Sequence, residues 1–154
     1  MTHRLLPRTL DQEFHGSTVS LWVFGLVLFV KVAISLGCIF NGYVAAGTTD
    51  GIPLASFTPA GAQTVVACFA IWGVSQLTIY FLCVLALVRY RALVPFLFSV
   101  ILVEHLVRKL ALILLPIPKT GTPPGSVINL VLVGLMVVGL GLSLWRRAGV
   151  EAKA

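Results

Sequence analysis

The sequence predicts an all-α fold, an integral membrane bundle of four helices, and three observations carry that prediction. Of 154 residues, 58% are hydrophobic and only 10% are charged, whereas soluble domains carry about 25% charged residues. The apolar residues gather into four runs, about 19–44, 62–88, 92–115 and 126–145. Each is near or above the roughly 20 residues that a helix needs to cross a bilayer. Short segments rich in Gly, Pro, Asp and Thr separate the runs and supply turns. A single four-helix domain over 19–146 is therefore expected, with a polar segment at 1–18 and a polar tail at 147–154.

The N-terminal segment MTHRLLPRTLDQEFHGST carries mixed charge and two histidines, His3 and His15. The apolar run behind it is too long for the core of a cleaved signal peptide. Leu5, Leu6, Leu10 and Phe14 instead suit a short helix lying along the membrane interface. The first span holds one charge, Lys31, near its middle, too deep to snorkel comfortably to either surface. Phe24, Ser35 and Cys38 share its face, and Asn41 lies toward the far end. The loop GTTDGIPLASFTPAG follows, with an Asp50-Gly51 turn and Thr58-Pro59 as a helix start. In the second span Gln76 sits at the midpoint. Trp72, Gly73, Tyr80 and Cys83 fall within about 60° of it on the helix wheel, a stripe that suits helix packing or a pocket wall.

Arg89-Tyr90-Arg91 makes a tight basic connection to the third span, with Pro95 in its first turn and Pro116 at its end. This span contains the stretch Val103-Glu104-His105-Leu106-Val107-Arg108-Lys109-Leu110. With Glu104 at zero, Arg108 falls at about 40°, His105 at about 100° and Lys109 at about 140°. Val103, Leu106, Val107 and Leu110 occupy the opposite arc and suit lipid. A charge near the bilayer centre costs at least about 2.5 kcal/mol, so the polar arc must face protein or water. The fourth span carries Asn129 and three small residues, Gly134, Gly139 and Gly141, that permit close helix contact without exact GxxxG spacing.

Basic residues set the expected orientation. Seven of the eleven Lys and Arg residues lie in the N-terminal segment, the 89–91 connection and the C-terminal tail. The other two loops hold Lys119 alone. Both termini are thus expected in the cytoplasm of a bacterial inner (plasma) membrane. Tyr90 and Trp145 fall at the same ends and fit an interfacial belt. With this orientation Lys31, Gln76 and Glu104 reach nearly one depth, since each lies about 12 to 14 residues from the cytoplasmic end of its span. Arg108 and Lys109 follow roughly 6 to 8 Å further out, toward the level of Asn41 and Asn129. Equal depth and opposite charge predict that Lys31 and Glu104 interact, directly or through water.

Lys31, Gln76, Glu104, His105, Arg108 and Lys109 are the candidate ligand-binding or relay residues, with Asn41, Tyr80 and Asn129 as secondary contacts. Three readings fit them. A cationic cavity open to the outside would take an anionic lipid, a quinone or a small anion. A relay through Glu104, His105 and Lys31 would serve a small proton- or ion-coupled transporter. A charge-paired interior would serve an accessory subunit of a larger membrane complex. Membrane lipids are the general partners in all three. Nucleic acid is not one, because the net charge of +6 is divided between helix ends and the intramembrane cluster. Cys38, Cys68 and Cys83 form no CxxC pair and read as small apolar fillers, against a thiol oxidoreductase. His105 is the one intramembrane histidine, so a bis-histidine haem within one chain is excluded. No nucleophile with a base, metal ligand set or phosphate loop supports an enzyme or implies a particular cofactor.

The segments DGIPL, FTPAGAQ, VRYRALVPF, LVEHLVRKL and TGTPPG, set among four spans, give a chain that resembles small uncharacterised bacterial four-helix inner-membrane proteins. The resemblance covers most of the chain and implies location and topology. In size and helix count the chain is also similar to the DoxX-like group, and no activity or site residue carries over from either.

Overall fold

The computed structural model describes residue 14 and residues 16–145. The interfacial helix, His3, His15 and the 147–154 tail lie outside those residues. Four long helices make up the described chain: α1 Thr18–Phe40, α2 Pro59–Arg89, α3 Val94–Leu114 and α4 Pro124–Leu144. No strand occurs among the described residues. α1, α2 and α4 are each long and apolar enough to cross a membrane. α3 has the same 21 residues as α4 but carries Glu104, Arg108 and Lys109.

Local chemistry sets the helix ends. Ser17 caps α1, its hydroxyl accepting from the Val19 N–H at 3.3 Å. α1 ends at Phe40, four residues before the expected boundary, because Asn41 leaves the helical region at φ −137°, ψ 48°. Asn41 is therefore an exposed cap and not a residue of the helix interior. A six-residue π-turn, Val44–Thr49, and a 3₁₀ turn, Leu54–Ser56, occupy the expected loop. α2 begins at Pro59, three residues earlier than expected, since the Thr58 hydroxyl accepts from Gly61 N–H at 3.2 Å and proline is suited to that first turn. A 3₁₀ turn over Arg91–Leu93 delays α3 to Val94. Pro124 starts α4 two residues early, proline again suiting the first turn, here without a side-chain cap.

α1 makes its broadest contact with α2 and its next with α4, while α3 rests mainly on α4. α2 and α3 touch little, so the order α2–α1–α4–α3 forms a horseshoe with its gap between α2 and α3. At the terminal end the Ser17 N–H donates to Leu142 C=O at 3.2 Å, tying the start of α1 to the end of α4. At the loop end the Thr120 N–H donates to Gly51 C=O at 2.8 Å, joining the two long connections.

The apolar core fills the terminal half. Phe24 and Phe98 meet with ring centroids 4.6 Å apart, and Val27, Leu28, Ile101, Leu132 and Met136 close around them. Close helix approach depends on two glycines. A Cβ at Gly73 would lie 2.8 Å from Ser35 C=O, and one at Gly139 would lie 2.5 Å from the Phe98 ring. Gly134 and Gly141 have open space around them, so Gly139 alone of these three glycines serves the expected contact. Cys38 and Cys83 are buried as fillers, but Cys68 is exposed. It lies outside the Gly73, Gln76, Tyr80 and Cys83 stripe that α2 turns inward.

Candidate functional site

Above the apolar core, toward the loop end, the interior turns polar. Lys31 is 3% exposed and His105 only 1%. The helix-wheel separation holds on α3: Val103, Leu106, Val107 and Leu110 are exposed, while Glu104 and Arg108 are half-buried beside His105. Lys109, at the edge of the polar arc, is exposed. Its position about 140° from Glu104 carries it around to the outside of the helix.

The polar side chains form one connected group. The Lys31 ammonium lies 3.2 Å from His105 Nδ1, and the Arg108 Nη2 group lies 2.8 Å from the same nitrogen. Both neighbours are donors, so Nδ1 accepts and the ring proton sits on Nε2. Gln76 Nε2 donates to Glu104 Oε1 at 3.0 Å. Arg108 Nε lies 3.7 Å from that same oxygen, one helical turn away. The Arg108 guanidinium also sits 4.8 Å from the centre of the Trp72 ring, and Lys31 lies 5.9 Å from that of Tyr80. Gln76 Oε1, Glu104 Oε2 and His105 Nε2 are buried without a hydrogen-bond partner among the described residues.

The expected direct pairing of Lys31 with Glu104 is not made. Lys31 meets His105, while Glu104 takes Gln76 and Arg108. The reason is angular: Glu104 lies about 100° from His105 on α3, so His105 points at α1 while Glu104 points at α2. Lys31, Gln76 and Glu104 do belong to one polar group, to which three helices contribute.

Beside this group lies a cavity of about 680 Å³. Lys31, Gln76, His105, Arg108 and Lys109 line it, as do Asn41, Tyr80 and Asn129. Glu104 does not, since it faces α2 behind Arg108. Two charged lining residues had escaped the sequence reading, Asp50 and Lys119. Both come from connections that read only as turns, and the folding of those connections over the bundle brings them to the cavity. Lys119 did carry a signal, as the single basic residue of the two long connections. The walls therefore present Lys31, Arg108, Lys109 and Lys119 against the Asp50 carboxylate. Burial pushes the Asp50 carboxyl above its usual range, with Lys119 and then Arg108 opposing the shift.

Such an arrangement can hold a negative group: the guanidinium offers a planar pair of donors, and the ammonium groups offer point charges. Comparison with protein-family models, curated proteins and solved structures finds no match to this chain.

Proposed function

We propose that this is an integral protein of a bacterial inner membrane whose four helices all cross the bilayer, with both termini in the cytoplasm. Its cationic intramembrane cavity binds the negative group of a lipid or other small anion. The observation that carries this reading is the charge on the cavity wall, four cationic side chains facing one carboxylate. A buried cation without a counterion is costly: Lys31 is buried against His105, while the half-buried Arg108 has Glu104 at 3.7 Å, and an anionic ligand supplies the missing charge. A quinone, which offers neutral carbonyl acceptors, would satisfy the donors and leave the charge uncompensated.

The fourth span is α3, whose Glu104 and Arg108 turn toward its neighbours and leave Val103, Leu106, Val107 and Leu110 to lipid. Labelling of single cysteines tests the orientation. Asp50→Cys and Thr120→Cys should react with an impermeant thiol reagent added outside, and Tyr90→Cys should not. Reaction at position 90 alone would invert the topology.

Native mass spectrometry tests the binding. Wild-type protein should retain an anionic species that Arg108→Gln loses, at least about tenfold in affinity, the equivalent of 1.4 kcal/mol. Equal retention would remove the site. A second reading, an accessory subunit of a larger complex, draws on the exposed end of α3, where every residue from 109 to 122 is exposed. It expects a partner's side chain at Arg108 in place of a ligand.

A further inference from the structure

The walls of the cavity differ in how they are closed. At the loop end the two connections are stapled together: Thr120 donates to Gly51 C=O through both its N–H at 2.8 Å and its hydroxyl at 3.1 Å. Gly51 adopts φ +74°, which lets its chain lie against Pro123. Gly125, at the start of α4, approaches so closely that a Cβ there would stand 2.7 Å from Thr49 C=O. These contacts cover the cavity from the loop side.

The gap between α2 and α3 behaves differently along its length. Toward the terminal end it is shut by the short 89–94 connection, by Gln76 on Glu104, and by Trp72 stacked on Arg108. One turn further toward the loops stand Cys68 on α2 and Leu112 on α3, both exposed and both lining the cavity. Phe69 and Ile117 extend the same apolar rim. Arg108 and Lys109 thus stand at the inner edge of a mouth that faces sideways, with Lys31 deeper inside.

We infer that the cavity is loaded laterally, through the gap between α2 and α3, by the phosphate-bearing headgroup of an anionic phospholipid whose chains stay in the surrounding leaflet. This rests on the anion-binding reading above. A hydrated free phosphate shares the chemistry of the headgroup but would have to shed its water against an apolar rim or pass the stapled loops. A lipid already presents its chains to that rim and its charge to Arg108. The sidewise mouth turns an anion site into a lipid site.

Bridging the mouth after folding tests the inference without asking a variant to fold with it closed. In a Cys38→Ser background, Leu112→Cys is joined to the native Cys68 by a short bismaleimide in protein already purified into phosphatidylglycerol nanodiscs. Native mass spectrometry then follows exchange of the bound lipid for a deuterated one, and competition by inorganic phosphate is measured beside it. Unbridged protein should exchange its lipid, bridged protein should not over the same period, and phosphate should displace none. If bridging leaves exchange unchanged, or phosphate competes, the lateral route is wrong while the anion site stands. If Arg108→Gln keeps the lipid as tightly as wild type, the site itself is wrong and the route with it.

Discussion

The two halves of the bundle are built from the same four helices and solve opposite problems. In the terminal half, Phe24, Phe98 and Met136 are fully buried, and Gly139 draws α4 onto the Phe98 ring. In the loop half the same helices part around about 680 Å³ walled by Lys31, Arg108, Lys109 and Lys119. Lipid tails are as apolar as the core, so the terminal half gains chiefly from close packing. That packing is what holds four helices together while the other half stays hollow. Lys31 and His105 mark the boundary between the two.

Substitutions should separate the halves. The largest effect on stability is expected from Phe98→Ala, which removes the ring between α1 and α4. It should cost about 3 kcal/mol, read as a lowered unfolding midpoint in detergent, with anion affinity little changed in the protein that remains folded. A loss of binding without a loss of stability would show that the halves are not separable. Glu104→Gln should have a middle effect, about 1–2 kcal/mol. It removes the partner of Arg108 and the one carboxylate at that depth, while Gln76 retains an amide oxygen to donate to. The same substitution should tighten anion binding, because Arg108 loses its internal competitor. Stability unchanged and binding weakened would mean that Glu104 acts through the cavity after all.

Asp50→Asn should have the smallest effect on stability and a modest one on binding. It removes the carboxylate from the cavity wall, so titration with an anionic lipid should show a few-fold gain in affinity, under about 1 kcal/mol. The raised Asp50 carboxyl also fixes a sign. A group held above its ordinary value of 3.8 favours the folded state most at low pH, and that contribution is lost as pH rises through the shifted value. Asp50→Asn should therefore gain stability relative to wild type as pH rises from 3.8 through the shifted value. A relative loss over that range would place the carboxylate in a stabilising ion pair with Lys119.

Much of this division was legible in the residues themselves. The inward stripe of α2 and the exposed apolar arc of α3 follow from helical periodicity, because each is a property of one helix. That Lys31, Gln76 and Glu104 belong to one polar group followed from counting along helices of fixed rise. What sequence reading missed depends on how helices rotate against one another. Opposite charge suggested Lys31 with Glu104, but rotation of α3 gives Lys31 to His105 and sends Glu104 to Gln76. Asp50 and Lys119 reached the cavity because Gly51 and Thr120 join two loops far apart in sequence, a contact with no periodic signature. The early end of α1 at Asn41 is local, yet a single cap in an apolar run is weak against the hydrophobic pattern around it.

The hollow half is proposed to hold a negative group against Arg108. An experimental density map of the protein in anionic lipid nanodiscs tests it most directly. Density for a phosphate-bearing headgroup should stand within about 3 Å of the guanidinium, with its chains leaving between Cys68 and Leu112. A cavity closed by side chains, or a headgroup absent while Arg108 pairs only with Glu104, would contradict it.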